Sequence, residues 1–357
     1  MKVFKGILKI FGILILVVIL FVGVFIGYSA VTTLHPNDTE AIEVKGNTNS
    51  KLTMDKEISV LSWNVGYCAL DEEEDFFMDG GKMVRGQSKE KVVENANAIS
   101  KKVNEINPDV VLFQELDAQA KRSYYVDEVA LMDELIGKTI YGRTYAMNYR
   151  AGYVPYPFPT TIGRVEAGLV SYSKFNVDSA TRIQLPIPFK WPISMFNLKR
   201  CLLVNRIKIE GTDKELVMVN LHLEAYDDGE GKIAQTKMLK EFIDTEYNKG
   251  NYVIAGGDFN QTFSNVNNKY LNDEAIWKAG TIDSNDFKGY QLLMDDTYPT
   301  CRSLHKVLKG ENKETFPYYM IDGFIVSPNI NVSKLETIDL KFVNSDHNPV
   351  LLKAKLA

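Results

Sequence analysis

The sequence predicts a mixed α/β domain in which two β-sheets pack face to face with helices outside, preceded by one N-terminal transmembrane helix. Three observations lead there. Residues 10–31 form an unbroken apolar run; beyond it short apolar strands alternate with amphipathic helices; and strands far outnumber helices able to cross between parallel neighbours, which calls for mixed sheets in a single domain of roughly 300 residues. With 357 residues, 45% hydrophobic and 24% charged, the chain has a globular composition and not that of a disordered one.

The apolar run contains no ionisable group except the hydroxyl of Tyr28, and it has the length a hydrocarbon core requires. Lys2, Lys5 and Lys9 precede it, while residues 32–43 carry His35, Asp38, Glu40 and Glu43 but no lysine or arginine. The positive-inside bias places residues 1–9 in the cytoplasm and everything after the helix outside it. A cleaved signal peptide is the competing reading. Its apolar stretch spans only about 7–15 residues and ends at small side chains, whereas this run is longer and Tyr28 interrupts the small residues near Ser29 and Ala30. Residues 32–56 are polar, with Pro36, Asn37, Gly46, Asn47 and Asn49 and no hydrophobic periodicity, and read as a linker to a domain over 57–357.

That domain opens with a strand over 58–65. A helix follows over 88–107, where Val92, Ala96, Ile99, Val103 and Ile106 share one face and Pro108 ends it; the apolar stretch 109–116 is then a strand buried on both faces. The alternation continues with a helix over 127–136, strands at 145–149, 167–173, 201–209 and 216–223, and a helix over 233–247. Strands at 252–256, 321–327, 336–342 and 349–354 complete it. Three stretches stand apart as insertions: 71–81 is acidic and aromatic, and 153–161 and 185–196 are rich in proline and aromatic residues. Loops at strand ends are where selectivity usually resides, and Trp191 and Phe196 beside a membrane anchor suit contact with lipid.

Beyond residue 31 the chain has 38 basic and 46 acidic residues, a net charge of −8, which argues against a sequence-blind nucleic-acid binder. Cys68, Cys201 and Cys301 lie far apart with no metal-ligand spacing and read as small buried side chains.

Polar residues recur at or just past the ends of the apolar strands: Asn64, Glu115, His222, Asp258, Asn260, Asp322, and the pair Asp346 and His347. A single carboxylate there would be an ordinary turn former or cap. Seven such places in one chain point to a shared site, because the strands of a sheet deliver their ends to a common edge. Carboxylate and amide oxygens are hard ligands suited to Mg²⁺ or Mn²⁺, and no cysteine or histidine cluster offers a zinc site. Of the four histidines, His222 and His347 fall in these places, whereas His35 and His305 read as bystanders.

The ordered strings SWNVGY, LFQELD, NLHLEAYDDG, GGDFNQ, IDGFIVS and SDHNPV, across residues 62–350, resemble the endonuclease/exonuclease/phosphatase superfamily, which includes pancreatic deoxyribonuclease, abasic-site endonucleases, inositol polyphosphate 5-phosphatases and neutral sphingomyelinases. The resemblance implies a four-layer sandwich of two mixed sheets flanked by helices. It also implies that Asn64, Glu115 and Asp346 hold the metal, that Asp258 positions or deprotonates the attacking water and that Asn260 binds a phosphate oxygen. His222 would contact the scissile phosphate or assist the leaving oxygen, and Asp322 would orient His347. The tryptophan- and arginine-rich signatures of the inositol 5-phosphatases are not seen, and the abasic-site enzymes lack such an anchor.

The expected activity is metal-dependent hydrolysis of a phosphoester, with a lipid headgroup, sphingomyelinase-like, as the favoured substrate outside the cytoplasm. An extracytoplasmic nuclease is the alternative and requires a basic groove, for which Lys121, Arg122, Arg164 and Arg200 are the candidates, each otherwise an ordinary solvated side chain. A catalytically idle binding protein on the same scaffold is the third reading, disfavoured because every expected ligand and histidine is present.

Overall fold

The computed structural model describes residues 2–137, 141–270 and 277–357. In chain order its elements are α1 (Lys2–Thr32), β1 (Thr39–Ile42), β2 (Glu57–Asn64), α2 (Lys89–Ile106), β3 (Val110–Asp117), α3 (Glu128–Ile136), β4 (Gly142–Val154), β5 (Gly163–Ser173), β6 (Ser179–Gln184), β7 (Cys201–Lys208), β8 (Glu215–His222), α4 (Glu230–Asn248) and β9 (Tyr252–Asp258). The short strands β10 (Gln261–Phe263), β11 (Gly280–Ile282), β12 (Gln291–Leu293), β13 (Cys301–Arg302) and β14 (Tyr318–Tyr319) lead to β15 (Asp322–Val326), β16 (Ile330–Thr337) and β17 (Val350–Leu356).

Two mixed sheets result. One runs β1-β6-β7-β8-β9-β15-β12 and the other β16-β17-β2-β3-β5-β4, with β2–β3 and β8–β9 as the parallel pairs. Strand alternation builds four layers. Val60, Leu112, Met218, Ile254 and Phe324 point between the sheets. The alternate residues Leu61, Trp63, Val111 and Phe113 meet Val92, Ile99 and Val103 of α2 on one outer face, and Val217, Val219, Val253 and Ala255 meet Leu239 and Ile243 of α4 on the other. Each fully buried aliphatic side chain of this kind contributes about 1.5–3 kcal/mol relative to exposure. The four-layer sandwich is therefore as expected.

Local signals explain the helix ends. Ser88 accepts a hydrogen bond from Lys91 N at the start of α2, and Asn107 closes it at φ 53° before Pro108. Asp127 caps α3 through Ala130 N.

The strand expected at 336–342 is displaced. Pairing with β17 covers Ile330–Thr337, after which Asp339 accepts from Lys341 N and the chain turns through Lys341 and Phe342 at φ 58° and 60°. Within the stretch read as a linker, β1 pairs with β6 and Leu52 is fully buried beside Ile209. A strand of four residues is too short to show a period, so periodicity could not reveal it. β4 is also longer than the segment read as a strand and carries its pairing into the start of the 153–161 stretch.

α1 contains the whole apolar run 10–31, with Lys2, Lys5 and Lys9 at its start, and residues 3–24 are exposed. Its last turns touch the domain: the Phe25 ring stacks on Phe196 at 6.0 Å and meets Tyr153 edge-on at 6.5 Å, and Thr33 Oγ1 donates to Met195 O at 2.9 Å.

Candidate active site

The inward faces of the central strands change character along their length. In β2, β3, β8, β9 and β15 the inward positions are apolar at one end of the sandwich and become polar at the other, at Asn64, Gln114, Asn220, His222, Asp258 and Asp322. Register aligns them. Asp258 pairs with His222 across the parallel β8–β9 ladder and with Asp322 across the antiparallel β9–β15 ladder. Beneath them Gln114 Nε2 donates to Asn220 Oδ1 at 2.7 Å, and Asn220 Nδ2 donates to Phe113 O at 3.0 Å, tying the two sheets together just under the site. All eight residues singled out in the sequence meet at this edge.

Glu115 gets there by breaking the strand's alternation. As an odd-numbered residue of β3 it would face α2, but β3 shifts register against β5 between Phe113 and Leu116, and Glu115 sits at φ 57°. A bulge of this kind re-aims a side chain, and the positive φ is backbone strain held at the site. Two glycines permit the close approaches. A Cβ on Gly66 would lie 2.5 Å from Asp346 Oδ1, and one on Gly257 would lie 1.9 Å from Leu221 O, so neither position admits a side chain.

Asp258 is the hub. Its Oδ1 accepts Asn260 N at 2.8 Å, its Oδ2 accepts Asn64 Nδ2 at 3.0 Å, and His222 Nε2 and His347 Nε2 stand 3.5 and 3.9 Å away. Asn64 Nδ2 also donates to Glu115 Oε1 at 3.1 Å, while Asn64 Oδ1 accepts Gly66 N and keeps a second lone pair. His347 Nδ1 is 2.8 Å from Asp322 Oδ2, and His347 N donates to Ser345 Oγ, which itself donates to Asn64 O. Asn260 Nδ2 donates to Leu223 O at 2.9 Å, leaving one amide hydrogen free.

The electrostatics separate the two imidazoles. Burial holds His222 well below its ordinary pKa, helped by Arg200 and by His347, so this ring is neutral. Burial also works against a charge on His347, but Asp322, with Cys301 and Asp346, outweighs it and raises the pKa well above the usual value, so this ring is cationic. Asp258 is pushed up to about 7 by burial and then by Asp322. Asp346 is pushed up to about 6 by burial, opposed by His347 and reinforced by Glu115.

These groups form the floor of a cavity of about 350 Å³ whose other walls are different in kind. Phe76, Phe77 and Met78 come from the 71–81 loop, Pro155 and Tyr156 from the 153–161 loop, and Phe189, Ile193 and Phe196 from the 185–196 loop. The three insertions thus converge into one apolar arm. Phe77 meets Tyr156 edge-on at 5.5 Å, Tyr226 Oη donates to Asp79 at 3.1 Å, and Arg302 holds the base of the first loop through the carbonyls of Asp71 and Glu74.

Of the four basic residues proposed for a nucleic-acid groove, Arg200 is buried and Arg122 largely so, and both line this cavity, contrary to the reading of them as solvated side chains. Arg122 pairs with Asp117 at 2.8 Å and lies 3.9 Å over the Tyr67 ring; Arg200 pairs with Glu224 at 3.4 Å and donates to His222 O. Lys121 and Arg164 are not among the lining residues, and Arg164 pairs with Glu166. The sequence reading also missed Tyr67, Asp79, Glu224 and Tyr226. Glu224 and Tyr226 lie within the NLHLEAYDDG string, and that neighbourhood was their only signal. The three cysteines are free and buried, as expected. His35 binds Ala30 O and His305 binds Ser303, both away from the floor.

Residues 61–347 match the Endonuclease/Exonuclease/phosphatase family. The chain belongs to that family. Comparison with curated proteins finds no match. Among solved structures the fold is similar to an endonuclease/exonuclease/phosphatase from Beutenbergia cavernae, with a TM-score of 0.58 and 16% identity over 85% of this chain and 72% of that one. It is similar also to a family protein from Leptotrichia buccalis, with a TM-score of 0.52 and 15% identity over 84% of this chain and 100% of that one. The human nocturnin catalytic domain, solved with a bound sulfate anion, gives a TM-score of 0.50 and 13% identity, covering 89% of this chain and 98% of that one. Endonuclease/exonuclease/phosphatase enzymes hydrolyse phosphoesters with divalent metals, and the Asp and His groups gathered here are of the kind that could hold one.

Proposed function

We propose that this endonuclease/exonuclease/phosphatase member hydrolyses the phosphoester between a membrane lipid and its headgroup, outside the cytoplasm, with Mg²⁺ or Mn²⁺ at Glu115, Asp346 and Asn64. The observation that carries the reading is the cavity, whose ionisable floor and aromatic arm suit a substrate anionic at one end and apolar at the other. The exposed apolar circumference of α1 supports an anchor, because among the described residues nothing covers residues 3–24.

The donor set fits the ion. Glu115, Asp346 and the spare lone pair of Asn64 Oδ1 offer oxygen only, and Asp346, buried and with its pKa raised by burial and by the nearby Glu115 charge, benefits from a cation beside it. When bound, the ion supplies charge neutralisation at the phosphoryl oxygens.

The side chains supply the rest. Asp258 is held by Asn64 and by Asn260 N, and with a pKa of about 7 its carboxylate accepts a proton from the attacking water near neutral pH. The His347 cation, fixed through Nδ1 by Asp322, faces the same space and stabilises negative charge on the phosphoryl group. The free amide hydrogen of Asn260 donates to a phosphoryl oxygen, and neutral His222 adjoins the leaving oxygen. A nucleic-acid substrate is the weaker reading, since Arg122 and Arg200 are committed to Asp117 and Glu224.

The test is hydrolysis by the full chain in nanodiscs, with Mg²⁺ and with chelator, against sphingomyelin, phosphatidylinositol-type lipids, single- and double-stranded DNA, and a water-soluble phosphodiester. Metal-dependent headgroup release with DNA untouched is expected; cleavage of DNA in preference to every lipid would overturn the substrate assignment.

A further inference from the structure

We infer that the tips of the 153–161 and 185–196 loops are seated in the membrane interface beside α1, so that the cavity takes its lipid directly from the bilayer plane. The second half of that statement rests on the proposed lipid substrate; the seat itself does not.

Depth along α1 carries the argument. Phe25 lies six residues before Val31, the end of the apolar run, and at a helical rise of about 1.5 Å per residue it sits roughly 9 Å inside that end. Its ring is stacked on Phe196 and edge-on to Tyr153. A bilayer that covers the apolar run up to Val31 must therefore reach the loops that carry Phe196 and Tyr153, at about the 5–10 Å depth of the headgroup–acyl boundary. The docking is fastened on both loops' sides: Thr33 Oγ1 donates to Met195 O at 2.9 Å, Gly152 N donates to Thr32 Oγ1 at 3.3 Å, and Leu34 N donates to Arg150 O at 3.0 Å.

What the loops present there is what an interface accepts. Phe158 is 89% exposed and Trp191 67%, with Ile187 and Ile193 also exposed, and Lys190 next to Trp191 can reach lipid phosphates. Tyr156 and Ile193 line the cavity within the same two loops, so the seated surface and the apolar arm are continuous. Phe158 and Trp191 do not line it.

The experiment reconstitutes the full chain in vesicles containing lipids brominated near the glycerol end of the acyl chain, with the wild type compared against Trp191→Phe. The difference isolates Trp191 from Trp63 and Trp277, and its emission is expected to be strongly quenched. A Trp191 signal no more quenched by brominated than by ordinary lipid, in vesicles where α1 is inserted, overturns the seat. As a second arm, Phe158→Ser/Trp191→Ser is expected to lower hydrolysis of vesicle lipid by about tenfold or more while leaving a water-soluble phosphodiester unaffected. Equal losses on both substrates, or none on either, contradict it. If the wild type hydrolyses no lipid, the substrate proposal fails and the quenching result still decides the seat.

Discussion

At the floor of the cavity, His222 and Asp258 ride, with the supporting Asp322, on neighbouring strands whose register sets their spacing, whereas the arm is lined by Phe76, Tyr156, Ile193 and Phe196 from three insertions between strands. The floor is cross-linked by hydrogen bonds to buried partners, and Asp258 and the two imidazoles titrate far from their ordinary values. The arm is held by ring contacts and presents carbon. Under the proposed function the contrast separates two tasks: the strand ends hold the groups that act on the phosphoester, and the loops select the molecule that brings it.

If the division is right, substitutions on the floor and in the arm fail differently. The largest effect belongs to the floor. His347→Ala and Asp258→Asn should each lower turnover by about a thousandfold or more on every substrate, soluble or lipid, because each removes a charge aimed at the reacting phosphoryl group. Their thermal unfolding should stay close to wild type, and calorimetry beside the kinetics checks this; retention of near-wild-type turnover in both would break the assignment of the floor. Asp322→Asn should cost about a hundredfold or more with the floor otherwise intact, since the His347 ring loses the partner that fixes its tautomer and its charge.

The arm should respond in KM. Phe196→Ala and Ile193→Ala are expected to raise KM for long-chain lipid by about tenfold, with kcat on a water-soluble phosphodiester little changed, as removal of binding that is equal in ground and transition states predicts. A matching loss of kcat on the soluble substrate would show that arm and floor are not separable.

The smallest effect lies outside the cavity and concerns stability. Glu246 accepts hydrogen bonds from Arg206, Lys249 and Asn251, and although burial opposes it these partners lower its pKa to about 2. A depressed carboxylate contributes stability that is complete above its unfolded pKa, near 4.5, and is lost as pH falls toward 2. The Tm difference between wild type and Glu246→Gln should therefore be largest near neutral pH and shrink below about pH 4.5. A constant difference across that range would place the contribution elsewhere.

The same contrast explains what the sequence made legible. Strand ends are readable because an apolar run that terminates in Asp, Asn or His places a polar group at a sheet edge, and all eight candidate residues were found that way. Glu115 was among them, although the bulge that turns it inward leaves no mark in the pattern. Arg122 and Arg200 were misjudged because their burial depends on Asp117 and Glu224, which the sequence does not pair with them. The convergence of three insertions from distant parts of the chain was likewise invisible, being a consequence of sheet order, as was the pairing of β1 with β6. The helices and most strands were legible because their periods run for several residues; the shifted β16 was not, since the apolar residues at 338–342 that suggested a strand pack in a turn instead.

Under the proposed function, strand-end carboxylates and imidazoles act on a lipid delivered through an apolar arm. The most direct measurement is release of water-soluble phosphorylated headgroup from lipid vesicles by the full chain, with Mg²⁺ and with chelator, in wild type and in His347→Ala. Headgroup release is expected from the wild type with metal and neither from the chelated enzyme nor from the variant. Release that persists at wild-type rate with chelator or in His347→Ala would contradict it.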